Sequence, residues 1–336
     1  MSQILTCKIC GGRNGNRPFK AREMMFGFRD EFDYFECASC GCLQIAEVPS
    51  NLPKYYPKEY GAHQRWKFEG VVGSKTFPKR FLRETLYEYH LGKKTLLGAL
   101  LAKKFRSKAF PYWIAAQPMH LTLSSKILEV GSGGGARLLT LREYGFRHLE
   151  GIDPFIAADM AYDEAVRIRK TSLQEFDGQF DFIMLHHSFE HMPEPQAVFK
   201  KLATLIKPEH FLLVRVPVGG CFAWKKYGRD WVQLDAPRHL YLHTEKSLRL
   251  LAEAAGFELV KTVYDSDGFQ IWGSEQYLMN IPLNDPRSGF HKHKSEQVLF
   301  NQAQLAQFER QAVELNEKKE GDQACFYFVK KKTPTP

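Results

Sequence analysis

No apolar run in the 336-residue chain is long enough to cross a bilayer. About 20 consecutive apolar residues are needed, and the longest candidate, Leu96 to Ala102, stops far short. The first residues, Met1-Ser-Gln-Ile-Leu-Thr-Cys7, carry neither a basic n-region nor an apolar h-region, so no secretory leader is expected. These absences predict a cytoplasmic protein with no transmembrane segment. Gly-Lys-Ser/Thr is missing, which excludes a phosphate-cradling P-loop. Internal repeats and long low-complexity tracts are missing too. Acidic residues are the minority, leaving a formal charge of +9. That balance suits an anionic substrate, a nucleic acid or a membrane surface and selects none of them. Hydrophobic content is ordinary at 44%, enough for a sizeable core.

Cysteine is scarce after residue 42, and that scarcity makes the N-terminal cluster informative. Five of the seven cysteines are Cys7, Cys10, Cys37, Cys40 and Cys42. Cys7-x2-Cys10 and Cys37-x2-Cys40 form two knuckles, each followed by a glycine. In a reducing compartment this is metal-ligand spacing rather than a disulfide framework. Four thiolates close a tetrahedral zinc shell and leave no position for chemistry, so a structural zinc ion is expected. Cys42 is read as a bystander or an alternative ligand, and Cys221 and Cys325 as free core thiols. Aromatic and polar residues alternate from Arg22 to Cys37, which predicts a β-hairpin between the knuckles.

Three regions follow. Residues 1–48 form a zinc-ribbon-like module. Residues 49–120 are rich in Pro, Tyr, Lys and Arg, and Lys75–Tyr89 and Leu91–Phe110 read as amphipathic helices with basic faces. They suit a cap over a ligand pocket, or a peripheral contact with a membrane or an anionic partner. From 121 to 336 strands and helices alternate. Strands are expected at Lys126–Val130, His148–Ile152, Ala165–Ile168, Phe180–Leu185, Phe211–Val216, Phe257–Val263 and Ala324–Val329. Helices are expected at Ala136–Tyr144, Pro195–Ile206, Thr244–Ala255 and about 295–318, with Thr244 as N-cap and Gly256 as the stop. Alternation of this kind builds an α/β, mostly parallel sheet with helices on both faces. Ligands then meet at the carboxyl edge of its strands.

The first of these strands runs into Glu129-x-Gly131-x-Gly133-x-Gly135, and the second ends in Gly151-Ile152-Asp153. Glycines let backbone approach a ligand, and an acid at the second strand tip can accept both hydroxyls of a ribose. The spacing is not the G-x-G-x-x-G of dinucleotide sites. It resembles motif I of class I S-adenosylmethionine (AdoMet) methyltransferases. The resemblance implies a Rossmann-like sheet with an antiparallel last strand, and AdoMet as cofactor. It further implies that Glu129 anchors the methionine end beside Gly131, Gly133 and Gly135. The ribose falls to Asp153.

Just after the fourth strand stands His186-His187-Ser188-Phe189-Glu190-His191-Met192-Pro193. The Asn/Asp-Pro-Pro-Tyr/Phe element of amino-directed methyltransferases is absent there, which disfavours a base-amine or amide target. The Glu-His-x-Pro element is similar to methyltransferases of small molecules, and the N-terminal four-cysteine module to bacterial saccharide-pathway enzymes. A hydroxyl acceptor needs a base, and histidine suits that near neutral pH. His187, Glu190, His191 and His239 are the candidate catalytic set. They also resemble the Glu-x-x-Glu-His…His set with which small-RNA 2′-O-methyltransferases hold a divalent ion, with His187 in place of the first glutamate. A second divalent ion there is a further expectation. Trp224, Tyr227 and Trp231, with Lys225, Lys226 and Arg229, offer flat and positive surface for a small hydroxylated or glycan-precursor acceptor, or else pack a loop. Two alternatives stay open: an RNA methyltransferase using the zinc module and basic surface, and a catalytically silent AdoMet-fold binding protein.

Overall fold

The computed structural model describes residues 5–57, 65–67, 77–105, 111–115, 121–289 and 298–332. Three short strands open the chain: β1 (Arg17–Arg22), β2 (Glu31–Glu36) and β3 (Leu43–Ile45). The first two form the antiparallel hairpin expected between the knuckles, beginning at Arg17 rather than Arg22. Helices α1 (Phe77–His90), α2 (Leu96–Lys104) and α3 (Tyr112–Ala115) follow. The predicted start at Lys75, the end at Phe110 and the start of the last helix at 295 lie outside the described residues. Tyr87 packs edge-on against Tyr144, and Arg147 pairs with Glu84 at 2.8 Å. Those contacts hold α1 at the amino edge of the main sheet.

The main sheet has eight strands. Its core is β4 (Lys126–Val130), β5 (His148–Ile152), β7 (Val166–Arg169), β8 (Phe180–His186) and β9 (Ile206–Pro217), all parallel to one another. A two-residue strand, β6 (Met160–Ala161), closes one edge, and β11 (Phe257–Tyr264) with β12 (Gln323–Lys330) extends the other. The order is β11-β12-β9-β8-β4-β5-β7-β6. The last strand, β12, runs antiparallel between β9 and β11. This is the expected α/β sheet with its antiparallel last strand. Helices α4 (Ala136–Glu143), α5 (Pro195–Leu205), α7 (Glu245–Ala254) and α9 (Gln302–Glu317) connect the strands. Thr244 caps α7 as expected, its side chain accepting from Ser247 N in a capping box.

Strand β9 corrects one expectation. It begins at Ile206, directly after α5, instead of at Phe211. Ile206 pairs with Phe180, and the register then shifts before Phe182 meets Phe211. Pro208, which has no N–H to give, sits in that irregularity rather than ending a helix. Three helices lie outside those expected from sequence, α3, α6 (Phe222–Tyr227) and α8 (Phe269–Leu278). Helix α8 buries residues around its whole circumference, among them Gln270, Ser274 and Tyr277, so no polar face marks it.

A second, four-stranded sheet has the order β1-β2-β3-β10, where β10 is Tyr241–Leu242. The N-terminal module therefore completes its sheet with residues from the far side of the chain. Their shared core joins Tyr34, Cys42 and Leu43 to Trp231, Tyr241 and Tyr277. Cys221 and Cys325 are buried, as a core thiol should be. Among the described residues no helix is long and apolar enough to cross a membrane.

Candidate functional site

The carboxyl edge of β4 and β5 carries the glycine loop. Gly131 has φ +73°, and a Cβ there would lie 2.4 Å from the Ser188 Cβ, so only glycine fits. Ser188 in turn donates to Val130 O at 2.8 Å, tying the loop to the exit of β8. Asp153 uses one oxygen to accept from Gly133 N (2.9 Å) and the other to accept from Phe155 N (2.8 Å). Each carboxylate oxygen keeps further acceptor capacity. Tyr162, which no motif marks, donates to Gly134 O at 2.6 Å.

Glu129 is fully buried. Arg137 Nη1 lies 3.3 Å from Oε1, while Oε2 has no hydrogen-bond partner among the described residues. Burial pushes its carboxyl up to about 7, against the pull of Arg137. An unpartnered, buried carboxylate oxygen at the glycine loop fits a cationic ligand group, and the ammonium of a bound amino acid is such a group.

A second cluster forms at the exit of β8. Glu190 sits in a single 3-10 turn, Phe189–His191, and is fully buried. Neither of its oxygens has a hydrogen-bond partner among the described residues. His187 Nδ1 approaches to 3.4 Å and His239 Nε2 to 3.9 Å. Burial raises the Glu190 carboxyl, but His187 and the neighbouring imidazoles outweigh it and bring it to about 2. His191 Nδ1 lies 2.8 Å from Arg238 O, and His239 Nδ1 lies 2.7 Å from Gln233 O. A carbonyl only accepts, so both Nδ1 atoms carry the proton and both Nε2 atoms keep a lone pair. Ligand atoms of Glu190, His191 and His239 all lie within 4.8 Å of one another. Burial and the neighbouring His239 lower the His191 imidazole below its ordinary value.

His187 stands apart from that trio. Its φ is +49°, and Arg215 Nη1 donates to its Nε2 at 2.6 Å. Arginine cannot accept, so the Nε2 lone pair is occupied and the proton resides on Nδ1, facing Glu190. Arg215 Nε is held by Asp265 at 2.6 Å, and Tyr112 donates to the same Asp265 oxygen. His186 is buried against Trp113, and burial pushes its imidazole well below the usual range.

The knuckles bring Cys7, Cys10, Cys37 and Cys40 together, all Sγ atoms within 4.8 Å. Both repeat one turn, with Gly11 N donating to Cys7 O and Gly41 N to Cys37 O. Gln44 Nε2 (3.1 Å) and Ile9 N (3.4 Å) donate to Cys7 Sγ, an arrangement that favours thiolate. Four convergent sulfurs with such donors fit a tetrahedral zinc ion. Cys42 lies outside the set, its Sγ 4.0 Å from His243 Nδ1.

The module reaches the histidine cluster through buried polar contacts that sequence alone did not single out. Tyr34 donates to His239 O at 2.8 Å, and Leu240 N donates to Glu190 O at 2.8 Å. Arg238, fully buried, spans Glu23 (2.9 Å), Asp235 (2.6 Å) and Tyr55 O (3.0 Å). Tyr56 Oη lies 3.3 Å from His191 Nδ1. Of the two alternatives for the aromatic loop, Trp231 and Tyr227 follow the packing one and are buried. Trp231 Nε1 donates to Asp322 (3.0 Å), and Tyr227 donates to Glu275 (2.7 Å). The loop that carries them is core between the N-terminal module and α8, where large rings fill space.

Residues 94–262, half of the chain, match the family model described as a methyltransferase domain. The chain belongs to this family. It is a class I, AdoMet-dependent methyltransferase. No curated protein matches its sequence. Solved structures similar to it include 1,6-didemethyltoxoflavin-N1-methyltransferase of Burkholderia thailandensis, crystallised with S-adenosylhomocysteine. That match has 15% identity, 62% of this chain and 72% of the other covered, and a TM-score of 0.36. A SAM-dependent methyltransferase of Archaeoglobus fulgidus aligns at 18% identity, with 62% and 86% covered and a TM-score of 0.37.

Proposed function

We propose that this methyltransferase modifies a small hydroxylated or saccharide-type acceptor, with His191 and His239 supplying the base. The observation that carries the reading is a pair of imidazoles with Nδ1–H pinned to backbone carbonyls beside one buried carboxylate, His239 Nε2 lying 3.9 Å from Glu190. AdoMet supplies an electrophilic methyl group. Glu129, Gly131, Gly133 and Gly135 hold its methionine end and Asp153 its ribose. Alignment of acceptor and donor provides most of the acceleration in an in-line displacement. An imidazole Nε2 takes the acceptor proton, and ionised Glu190 stabilises the imidazolium that results. His187, its Nε2 occupied by Arg215, orients Glu190 rather than acting as base.

The same trio supports a second reading, a divalent ion bound by Glu190, His191 and His239. Metal-ligating histidines characteristically donate their other ring N–H to a carbonyl, as both do here. Three ligands leave an open position where an acceptor hydroxyl could lose its proton more readily. The two readings separate on metal content. One divalent ion per chain beyond the knuckle zinc, lost in Glu190→Gln, favours the ion; no second ion favours the free base. We further infer a structural zinc ion at Cys7, Cys10, Cys37 and Cys40.

Incubation with methyl-labelled AdoMet and a cell extract, fractionated into small molecules, lipid, glycan and RNA, tests the acceptor class. Label in the small-molecule or glycan fraction is expected. Label confined to RNA, with affinity falling steeply as salt rises, would overturn the reading. Label in no fraction would overturn the acceptor assignment as well.

A further inference from the structure

Helix α2 carries an apolar surface that the methyl-transfer chemistry does not use. Thr95 caps it by accepting from Gly98 N, and Gly98 and Leu101 face inward. A Cβ on Gly98 would lie 2.7 Å from the Tyr89 Cβ, so glycine is what lets α2 seat against α1. The opposite face is bare. Leu96 is 88% exposed and Leu100 66%, one turn apart, with Leu97 and Phe105 also exposed. Leucines that gained nothing from folding need another reason to stand in water.

The charge around them supplies the reason. Residues 77–105 contain seven Lys and Arg against two Glu, a surplus of five out of the chain's nine. Both glutamates are engaged, Glu88 by Lys93 at 2.7 Å and Glu84 by Arg147 at 2.8 Å. Lys93 and Lys94 precede α2, and Lys103 and Lys104 form its last turn. Among the described residues no carboxylate pairs with Lys94, Lys103 or Lys104. Aliphatic side chains flanked at both ends by cationic ones match the cross-section of a lipid interface, acyl chains beneath anionic headgroups. A second copy of so cationic a surface would be repelled. A nucleic acid would draw on the lysines and leave the leucines in water.

We propose that the outer face of α2 seats the enzyme on an anionic lipid bilayer. Leu96 and Leu100 enter the acyl boundary, and Lys94, Lys103 and Lys104 meet the headgroups. Because α1 is held at the amino edge of the main sheet, docking there leaves the glycine loop at the opposite edge open to ligands.

Flotation of the full chain with vesicles tests this directly. Binding is expected to vesicles of equimolar phosphatidylglycerol and phosphatidylcholine, and not to phosphatidylcholine alone. Raising the salt should release the protein, because exposed charges are screened. The double variant Leu96→Ser/Leu100→Ser should lose roughly tenfold or more in partitioning, since two buried leucine side chains are removed from the contact. The triple variant Lys94→Gln/Lys103→Gln/Lys104→Gln should lose roughly fivefold per lysine removed. Both sets lie on the surface, and unchanged AdoMet affinity serves as the check on folding. Failure of the unsubstituted chain to float with anionic vesicles overturns the proposal. So does equal binding to both vesicle types, or a leucine variant that converts a dimer to a monomer in sedimentation while vesicle binding persists.

Discussion

Two carboxylates, Glu129 and Glu190, are fully buried and are treated oppositely by their surroundings. Glu129 has a single guanidinium at 3.3 Å and titrates near 7; Glu190 sits among imidazoles and stays ionised down to about 2. Glu129 therefore makes a pH-dependent contribution of definite sign. Its folded value exceeds the unfolded 4.5, so the native state holds the extra proton between about 4.5 and 7. The stability due to this group is full below that window and is lost as pH rises through it, by about 3 kcal/mol. Glu129→Gln should flatten that part of the profile in denaturant titrations across the window. In the same window a cationic ligand must displace the proton, so AdoMet affinity should fall as pH drops below about 7, and the fall should vanish in Glu129→Gln. Asp153→Ala removes the acceptor of Gly133 N and, on the proposed assignment, that of the ribose. Calorimetry should show AdoMet binding weakened by roughly tenfold to a hundredfold, the scale of a lost hydrogen bond to a charged group. Unchanged affinity would remove Asp153 from the site.

At the scale of elements, the segment from Asp235 to His243 governs the histidine cluster. It is short of regular structure, only Tyr241 and Leu242 being strand, and it is fixed by Arg238. Truncation of a buried, paired charge leaves its partners uncompensated at about 3–5 kcal/mol. Arg238→Ala should thus be strongly destabilising, and adding Glu23→Ala should cost less than the two single changes together in a double-mutant cycle. Legibility in the sequence follows the same line. β4 and β5 fall on the spans expected for them, the first carrying the apolar Ile127, Leu128 and Val130 and the second leading into Asp153, and α7 begins at its cap. β10 is invisible because two residues carry no periodicity, and α8 because every face of it is buried. The four cysteines and the glycine loop were readable from spacing. Arg215, Asp265 and Glu23 were not, since their partners are distant in the chain. His187 shares a candidate set with His191 in sequence, but it precedes the 3-10 turn, has a φ of +49°, and its Nε2 accepts from Arg215.

For the whole molecule, the N-terminal sheet shares one core with Cys221, Trp231, Tyr241 and Tyr277, while the glycine loop belongs to the main sheet. Stripping metal from the knuckles should therefore divide two properties that usually fail together. Thermal stability and methyl transfer should drop sharply on chelation, with His239 losing the support of Tyr34, while AdoMet affinity stays within about a few-fold, because the cofactor edge rests on other contacts. Parallel calorimetry and labelled-methyl assays on chelated protein check this; equal loss of both would mean the two sheets form one cooperative unit.

The pairing of β3 with β10 also has a consequence for biosynthesis. Translation delivers Leu43–Ile45 long before Tyr241–Leu242. Until those two residues emerge, the nascent knuckle exposes a bare strand edge and half of its apolar filling, so early metal capture would protect it from sticking to its neighbours.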